Sequence, residues 1–261
     1  MLDAARPPVV LITGASSGIG AALAARLSAH GASLVLCGRD ERALRHVAAS
    51  CADALPVVAD VTDDDDVARL VAAAVHRFGG LDALVNNAGS AVSCRASVLN
   101  ASGAMSELDA NFISAVRVTA AALPTLRARG GHVVCVGSLL AVLPARAAGQ
   151  RAGYAAAKAA LHAWCAALAE DVKTDGVTVT LVVPGPVSTA FGARAAAAAA
   201  PDHAPPQQQQ GAPGAPLPSQ QPEEIAALIA DVLTTPPAGG TLIYSSAAVA
   251  AAAASVGQQT A

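Results

Sequence analysis

Tyr154 and Lys158 are the residues whose types and spacing most plainly suggest chemistry. They stand four positions apart in Gly153-Tyr154-Ala155-Ala156-Ala157-Lys158, a stretch of helical composition, so both side chains fall on one helix face. The chain has only two tyrosines, Tyr154 and Tyr244, and only two lysines, Lys158 and Lys173, while arginine carries the rest of its fixed positive charge. An exposed decorative pair on an alanine-rich helix does not account for that scarcity. Reducing a carbonyl requires a hydride at carbon and a proton at oxygen. A phenol is a poor acid near neutral pH, with an ordinary pKa of about 10. An adjacent ammonium stabilises the phenolate and is expected to lower that value. Acid–base help of this kind is worth roughly 10²–10⁴-fold in rate. Arginine would serve badly here, because its fork is broader and it keeps its proton.

A second group lies near the start of the chain, in Thr13-Gly14-Ala15-Ser16-Ser17-Gly18-Ile19-Gly20, between a strand-like run and a helical one. Gly14 permits a tight turn. Gly18 and Gly20 let backbone and helix approach a phosphate closely. The free N–H groups at the helix start would then face a pyrophosphate. Glycines also serve as plain turn residues, and it is the strand–turn–helix context that points to nucleotide binding.

The spacing is not the G-x-G-x-x-G of the standard dinucleotide fold. It resembles the T-G-x-x-x-G-x-G signature of the short-chain dehydrogenase/reductase family, and the resemblance continues in order from Val9 to about Ile243. It implies a nicotinamide dinucleotide held by Gly14, Ser16, Ser17, Gly18, Ile19 and Gly20. An acid at the end of the second strand normally selects NAD(H) by bonding the ribose 2′-OH. Here Gly38 occupies that place and Arg39 follows. A guanidinium can grip a 2′-phosphate with paired, charge-assisted bonds, so NADP(H) is expected over NAD(H). Ser16 can add a hydroxyl. Arg39 is equally a surface residue opening a helix capped by Asp40, and the two roles are compatible. Ser17 departs mildly from the pattern, since many NADP-preferring relatives carry a second basic residue there.

The resemblance assigns further roles. Asp60, with Val61 beside it, would meet the adenine; alone, Asp60 reads as a helix cap, a role open to Thr62 or Asp63 as well. Asn87, Ala88 and Gly89 would tie strand ends together and leave room for the ribose. Ser138 would hydrogen-bond the substrate carbonyl, Lys158 the nicotinamide ribose, and Asn111 would hold a water connecting Lys158 to solvent. Pro184, Gly185, Val187 and Thr189 match P-G-x-x-x-T, which places Thr189 at the nicotinamide carboxamide. The implied activity is reversible carbonyl–alcohol interconversion with Tyr154 as general acid/base. Ser138-Leu139-Leu140-Ala141-Val142-Leu143 and Pro-Gly-Pro-Val are most similar to the hydroxysteroid dehydrogenase and carbonyl reductase branch, hence a lipophilic substrate. A 3-oxoacyl carrier-protein reductase and a catalytically silent dinucleotide-binding regulator are the alternatives. One departure bears on the entrance: Ser138 and Tyr154 are 16 positions apart, more than the family usually shows, with the extra residues expected in Leu143–Arg151.

These residues need a scaffold that brings strand ends together. Aliphatic runs at Val9–Thr13, Ser33–Cys37, Pro56–Ala59, Ala83–Val85, His132–Gly137, Val177–Val183 and Thr241–Tyr244 read as strands. Helical patterns near Gly18–His30, Arg42–Ser50, Asp63–Phe78, Ala104–Arg129, Gly153–Val172 and Pro222–Leu233 alternate with them. The expected fold is α/β, a single Rossmann-type domain over residues 1–261 with a doubly wound parallel sheet of about seven strands and helices on both faces. Residues 193–221, poly-Ala and then Pro/Gln-rich, read as a low-complexity lid or insertion.

Composition excludes other classes. A net charge of −3 with scattered arginines offers no nucleic-acid footprint. No apolar run is long enough for a membrane span. Metal ligands are not grouped, and the five cysteines form no C-x-x-C pair. With a strand-like run starting at Val9 and no signal pattern before it, a reducing, cytoplasmic location is expected. The alanine-rich faces of Ala104–Arg129 and Tyr154–Asp171 would pair subunits by the family resemblance, giving a homodimer or homotetramer.

Overall fold

The computed structural model describes residues 6–143, 151–191, 217–236 and 241–257. Seven strands alternate with helices: β1 Val9–Thr13, α1 Gly18–Ala29, β2 Ser33–Gly38, α2 Glu41–Ala49, β3 Ala54–Val58, α3 Asp64–Phe78, β4 Ala83–Asn86, α4 Ala101–Leu108, α5 Ser114–Arg129, β5 His132–Val136, α6 Ala152–Asp171, β6 Thr178–Val183, α7 Pro222–Thr234, β7 Thr241–Tyr244 and α8 Ala247–Gly257. The strands form one sheet in the order β3-β2-β1-β4-β5-β6-β7. Every pairing is parallel.

The alternation of side chains along each strand builds two cores. Leu11, Val35, Leu84 and Val133 point to one face and pack with Val67 and Leu70 of α3, Val118 of α5 and Leu161 of α6. Ile12, Leu36, Val85 and Val134 point to the other and pack with Leu23 of α1 and Ile225 and Ile229 of α7. The central strands are therefore buried on both sides, as their unbroken apolar runs anticipate. β3 differs: it is an edge strand, begins at Ala54 rather than Pro56, and leaves Val58 39% exposed.

Local chemistry sets the helix ends. Asp40 caps α2 by accepting from Ala43 N at 2.9 Å, and Asp63 caps α3 by accepting from Asp66 N at 2.9 Å. The acidic first turn Asp64–Asp66 complements the α3 dipole. Gln221 and Glu224 form a capping box that opens α7, with Pro222 in its first turn.

The one long helix expected over Ala104–Arg129 is broken. Asn100 caps α4, and a π turn over Asp109–Ile113 separates α4 from α5. A π turn inserts a residue into the helical register and re-aims the side chains around it. Asn111 at its centre is turned inward and only 1% exposed. The helix α8 was not anticipated, because AAVAAAAASVG has no alternation of polar and large apolar residues to mark a helical period. Most of the 193–221 segment lies outside the described residues. Its end does not: Gln220 forms an isolated parallel bridge with Val187. No described helix is long and apolar enough to cross a membrane.

The strand order changes direction between β1 and β4, and ligands of such sheets bind beyond the carboxyl ends at that point. Gly14, Asn87 and Ser138 follow β1, β4 and β5 there, Gly38 ends β2, and Pro184 follows β6.

Candidate active site

The glycine turn is built for close approach. Gly14 has φ 66° and Gly18 φ 56°, a region that disfavours side chains. A Cβ on Gly14 would lie 2.9 Å from Ala88 Cα, and one on Gly20 would lie 2.8 Å from Asn87 Nδ2. Asn87 fastens β4 to β1: its Nδ2 donates to the Thr13 and Gly14 carbonyls at 2.9 and 3.2 Å, and its N–H donates to Thr13 Oγ1 at 3.0 Å. The Ala88 N–H also donates to Thr13 Oγ1, at 3.0 Å. The first turn of α1, with Ile19 in it, carries no acidic side chain, whereas α2 and α3 each place acids there. One helix N-terminus at the strand ends is thus kept clear of the chain's own anions, which fits a pyrophosphate.

On the far side of that turn, the Thr189 methyl group is 3.2 Å from where a Gly18 Cβ would be. Gly185 N donates to Gln220 Oε1 and Ser245 Oγ, both at 3.3 Å. Pro184 O accepts from Leu139 N at 3.0 Å, joining the end of β6 to the turn that carries Ser138. Gln220 and Ser245 had no sequence signal.

At the adenosine end, Arg39 and Asp60 face each other at 3.5 Å across the ends of β2 and β3. Burial pushes the Asp60 carboxyl up, but two hydrogen bonds from Thr62 and the Arg39 charge outweigh it and hold it below its ordinary value. The helix cap is Asp63, so Asp60 keeps its second oxygen for Arg39. The Arg39 side chain is 73% exposed, loosely held and within reach of a further anion. Ser16 lies against Gly38, with its Oγ 3.4 Å from where a Cβ would stand. Val61 packs at the edge of the nearer core.

At the end of β5, α6 brings Tyr154 and Lys158 to the same face. Lys158 is 4% exposed, and its Nζ donates to Val136 O at 2.8 Å and lies 5.9 Å from the Tyr154 ring centre. Burial lowers its pKa from 10.5 to about 8, with Cys135 and Cys165 opposing slightly. Ser138 sits beside Tyr154, its Oγ accepting from Leu140 N at 3.2 Å. Its backbone N–H donates to His162 Nε2 at 3.3 Å, and burial together with the Lys158 charge lowers His162 to about 4 and keeps it a neutral acceptor.

The Tyr154 ionisation departs from the sequence expectation. Its pKa is raised, not lowered. Burial is the main cause and the Glu107 charge adds to it, against a Ser138 hydrogen bond and the Arg151 charge. The Lys158 ammonium, 5.9 Å from the ring centre, is hydrogen-bonded to the backbone of β5. Phe191 covers the Tyr154 ring, with centres 5.5 Å apart.

Asn111 joins this group from the π turn. Its Oδ1 accepts from Ser90 N at 3.1 Å, and its Nδ2 donates to Glu107 O at 2.9 Å and Oε2 at 3.0 Å. A Cβ on Gly89 would be 2.6 Å from Asn111 Oδ1 and 3.9 Å from Lys158 Nζ, so both groups line one crevice. Tyr154, Lys158, Ser138 and Asn111 are therefore brought together. His162, Glu107 and Phe191 were missed, since each has a common packing or surface role in sequence. The extra loop expected at Leu143–Arg151 falls largely outside the described residues. No grouping of His, Cys, Asp and Glu suited to a metal occurs among the described residues.

Residues 8–200 match the family model described as short chain dehydrogenase. An uncharacterized oxidoreductase of Staphylococcus epidermidis is 37% identical over 183 residues, covering 69% of this chain and 78% of that protein. L-fucose dehydrogenase of Oryctolagus cuniculus is 37% identical over 184 residues, covering 69% of this chain and 63% of that protein. The crystal structure of levodione reductase superposes with a TM-score of 0.80 at 27% identity, covering 92% of this chain and 96% of that one.

Proposed function

The chain belongs to the short-chain dehydrogenase family of oxidoreductases, and on that premise we propose that it interconverts a lipophilic carbonyl compound and its alcohol, with NADP(H) as partner. The observation that carries this reading is the placement of Tyr154, Lys158 and Ser138 at the end of β5, beside a glycine cradle that excludes side chains.

The dinucleotide would be held by the turn Gly14–Gly20, by Asp60 and Val61 at the adenine, by Asn87, Ala88 and Gly89 at the ribose, and by Pro184–Thr189 at the nicotinamide. Arg39 supports the choice of NADP(H), because its exposed guanidinium is held among the described residues by a long 3.5 Å contact to Asp60. When bound, the nicotinamide supplies or accepts the hydride. Ser138 Oγ donates to the substrate carbonyl oxygen and fixes its position. Tyr154 gives that oxygen a proton from its hydroxyl as negative charge develops, and takes one back in the reverse direction. Lys158 presents a cation toward the cofactor ribose and Tyr154. Asn111 offers Oδ1 to the Lys158 side, where a water can link the group to solvent. Phe191 shields the Tyr154 ring from bulk water.

Two further readings accompany this one. An apolar groove of about 400 Å³ between α3 and α5, lined by Val67, Ile113, Val116 and Ala120, supports a homo-oligomer paired through helices, which a measured solution mass tests. Five free cysteines support a reducing, cytoplasmic compartment.

The decisive experiment measures turnover of lipophilic ketones and aldehydes with NADPH and NADH, in the native protein and in Tyr154→Phe. The expected result is NADPH-dependent turnover that falls at least ~10²-fold in the variant while NADPH still binds. Tight NADPH binding without turnover on any carbonyl would replace this reading with a silent dinucleotide-binding regulator.

A further inference from the structure

Glu107 is a carboxylate where helix packing would normally put an apolar group. It lies on the inner face of α4, 4% exposed, four residues before Asn111. Both its oxygens are engaged: Oε1 accepts from Val92 N at 2.5 Å and Oε2 from Asn111 Nδ2 at 3.0 Å. A Cβ on Gly153, the residue before Tyr154, would stand 3.0 Å from Glu107 Cγ. One side chain thus touches the loop after β4, the π turn and the start of α6, the three segments that carry Gly89, Asn111 and Tyr154.

The donor–acceptor arithmetic around Asn111 is closed. A side-chain amide has one acceptor oxygen and two N–H donors. Ser90 N–H needs the oxygen, and the Glu107 carboxylate accepts only from the nitrogen. With Glu107 in place, Oδ1 faces Ser90 and the crevice shared with Lys158 Nζ. The amide is held at three points, by the Ser90 N–H, the Glu107 backbone carbonyl and the Glu107 carboxylate, and without the last its nitrogen keeps a backbone partner alone.

We propose that Glu107 is a positioning residue of the reaction centre, which holds the Asn111 amide fast in the π turn and anchors the Ser90–Val92 loop beside Gly89. The inference rests on the oxidoreductase reading above. The charged groups that bear on Tyr154 are Arg151, Lys158 and Glu107. Asp109, the other acid of this turn, is paired with Arg117 at 3.4 Å and directed away.

The test has two arms. The chain contains four asparagines, Asn86, Asn87, Asn100 and Asn111, so protein labelled with 15N-asparagine shows four side-chain NH₂ pairs. The Asn111 pair, assigned by its loss in Asn111→Ala, should exchange slowly with water in the native protein and at least ~10-fold faster in Glu107→Gln. This arm needs no turnover, so it separates failure of the inference from failure of the enzyme reading. In the second arm, Glu107→Gln lowers kcat about 10-fold with NADPH affinity within ~2-fold. The double variant Glu107→Gln/Asn111→Ala is then no slower than Asn111→Ala alone, because both substitutions remove one function. Fast exchange of the Asn111 pair in the native protein would overturn the proposal. So would losses that multiply in the double variant, since they would assign Glu107 a structural role independent of Asn111.

Discussion

Replacing Gly38 by aspartate tests cofactor choice directly. Gly38 ends β2, and a Cβ there would meet Ser16 Cβ and Oγ at 3.4 Å and Leu44 Cδ1 at 3.5 Å, ordinary contact distances. A Cβ is therefore tolerated without displacing the sheet, and a carboxylate on it would lie beside Ser16, one residue before Arg39. Two effects act together. The carboxylate can accept a bond from the 2′-OH of NADH, worth about 1.5–3 kcal/mol as a bond to a charged group. It also opposes a 2′-phosphate. Two charges about 4 Å apart interact by about 1 kcal/mol in water and about 4 kcal/mol at the surface of a protein. The 73% exposure of Arg39 puts this site near the wet limit, about 1–2 kcal/mol. Together these shift the NADPH/NADH ratio of kcat/KM by about 2.5–5 kcal/mol, roughly 10²–10⁴-fold. The assay is steady-state kinetics with both cofactors, with thermal melting as control. A ratio that moves less than about 3-fold in a variant of native thermal stability would refute the reasoning, as would a native protein that prefers NADH.

Lys158→Met should abolish turnover and yet raise the stability of the ligand-free protein. The folded-state pKa of about 8 lies below the ordinary 10.5, so the folded protein gives up this proton before the unfolded chain does. Stability therefore rises between about pH 8 and 10.5, and charge burial is a standing cost of about 3 kcal/mol below pH 8, partly offset by the bond to Val136 O. A urea midpoint at pH 7 that falls in the variant contradicts this. His132 and His162 are both held near 4, below their ordinary 6.5, by burial first, with the Lys158 charge adding to it at His162. They stay neutral while the unfolded chain takes up protons, so stability is whole above pH ~6.5 and is lost as pH falls toward 4, with a slope of up to two protons. A urea midpoint that is flat between pH 6.5 and 4.5 argues against it.

Much of this was legible because the residues concerned are constrained by backbone geometry or by rarity. Gly14, Gly18 and Gly20 are required by positive φ or by approaches that no Cβ permits, and such needs leave few residue choices. Tyr154 and Lys158 stand out against an alanine-rich, lysine-poor chain. The apolar runs predicted six strands to within one residue at each end; five of them are interior strands that tolerate little else, and β7 is an edge strand with Leu242 45% exposed. Only β3, half-exposed at the sheet edge, slipped by two residues at its start. The π turn was invisible, because Asp109–Ile113 carries no glycine or proline to mark a change of helical register. Glu107 was also invisible. On a helix a glutamate reads as solvent-facing, and its burial becomes intelligible only once Val92 N and Asn111 Nδ2 are seen to satisfy it.

The electrostatics of the centre carry one conclusion that motif spacing cannot. A tyrosine read beside a lysine suggests a phenol made more acidic by a cation. In the folded protein the lysine is tied to Val136 O, while burial and the Glu107 carboxylate both hold Tyr154 in its protonated form. A protonated phenol is the form that can donate to a carbonyl oxygen; alcohol oxidation needs the phenolate. If Tyr154 is the acid/base of the proposed reaction, its raised pKa delays formation of the phenolate, so alcohol oxidation should rise with pH, which a pH–rate profile in that direction checks.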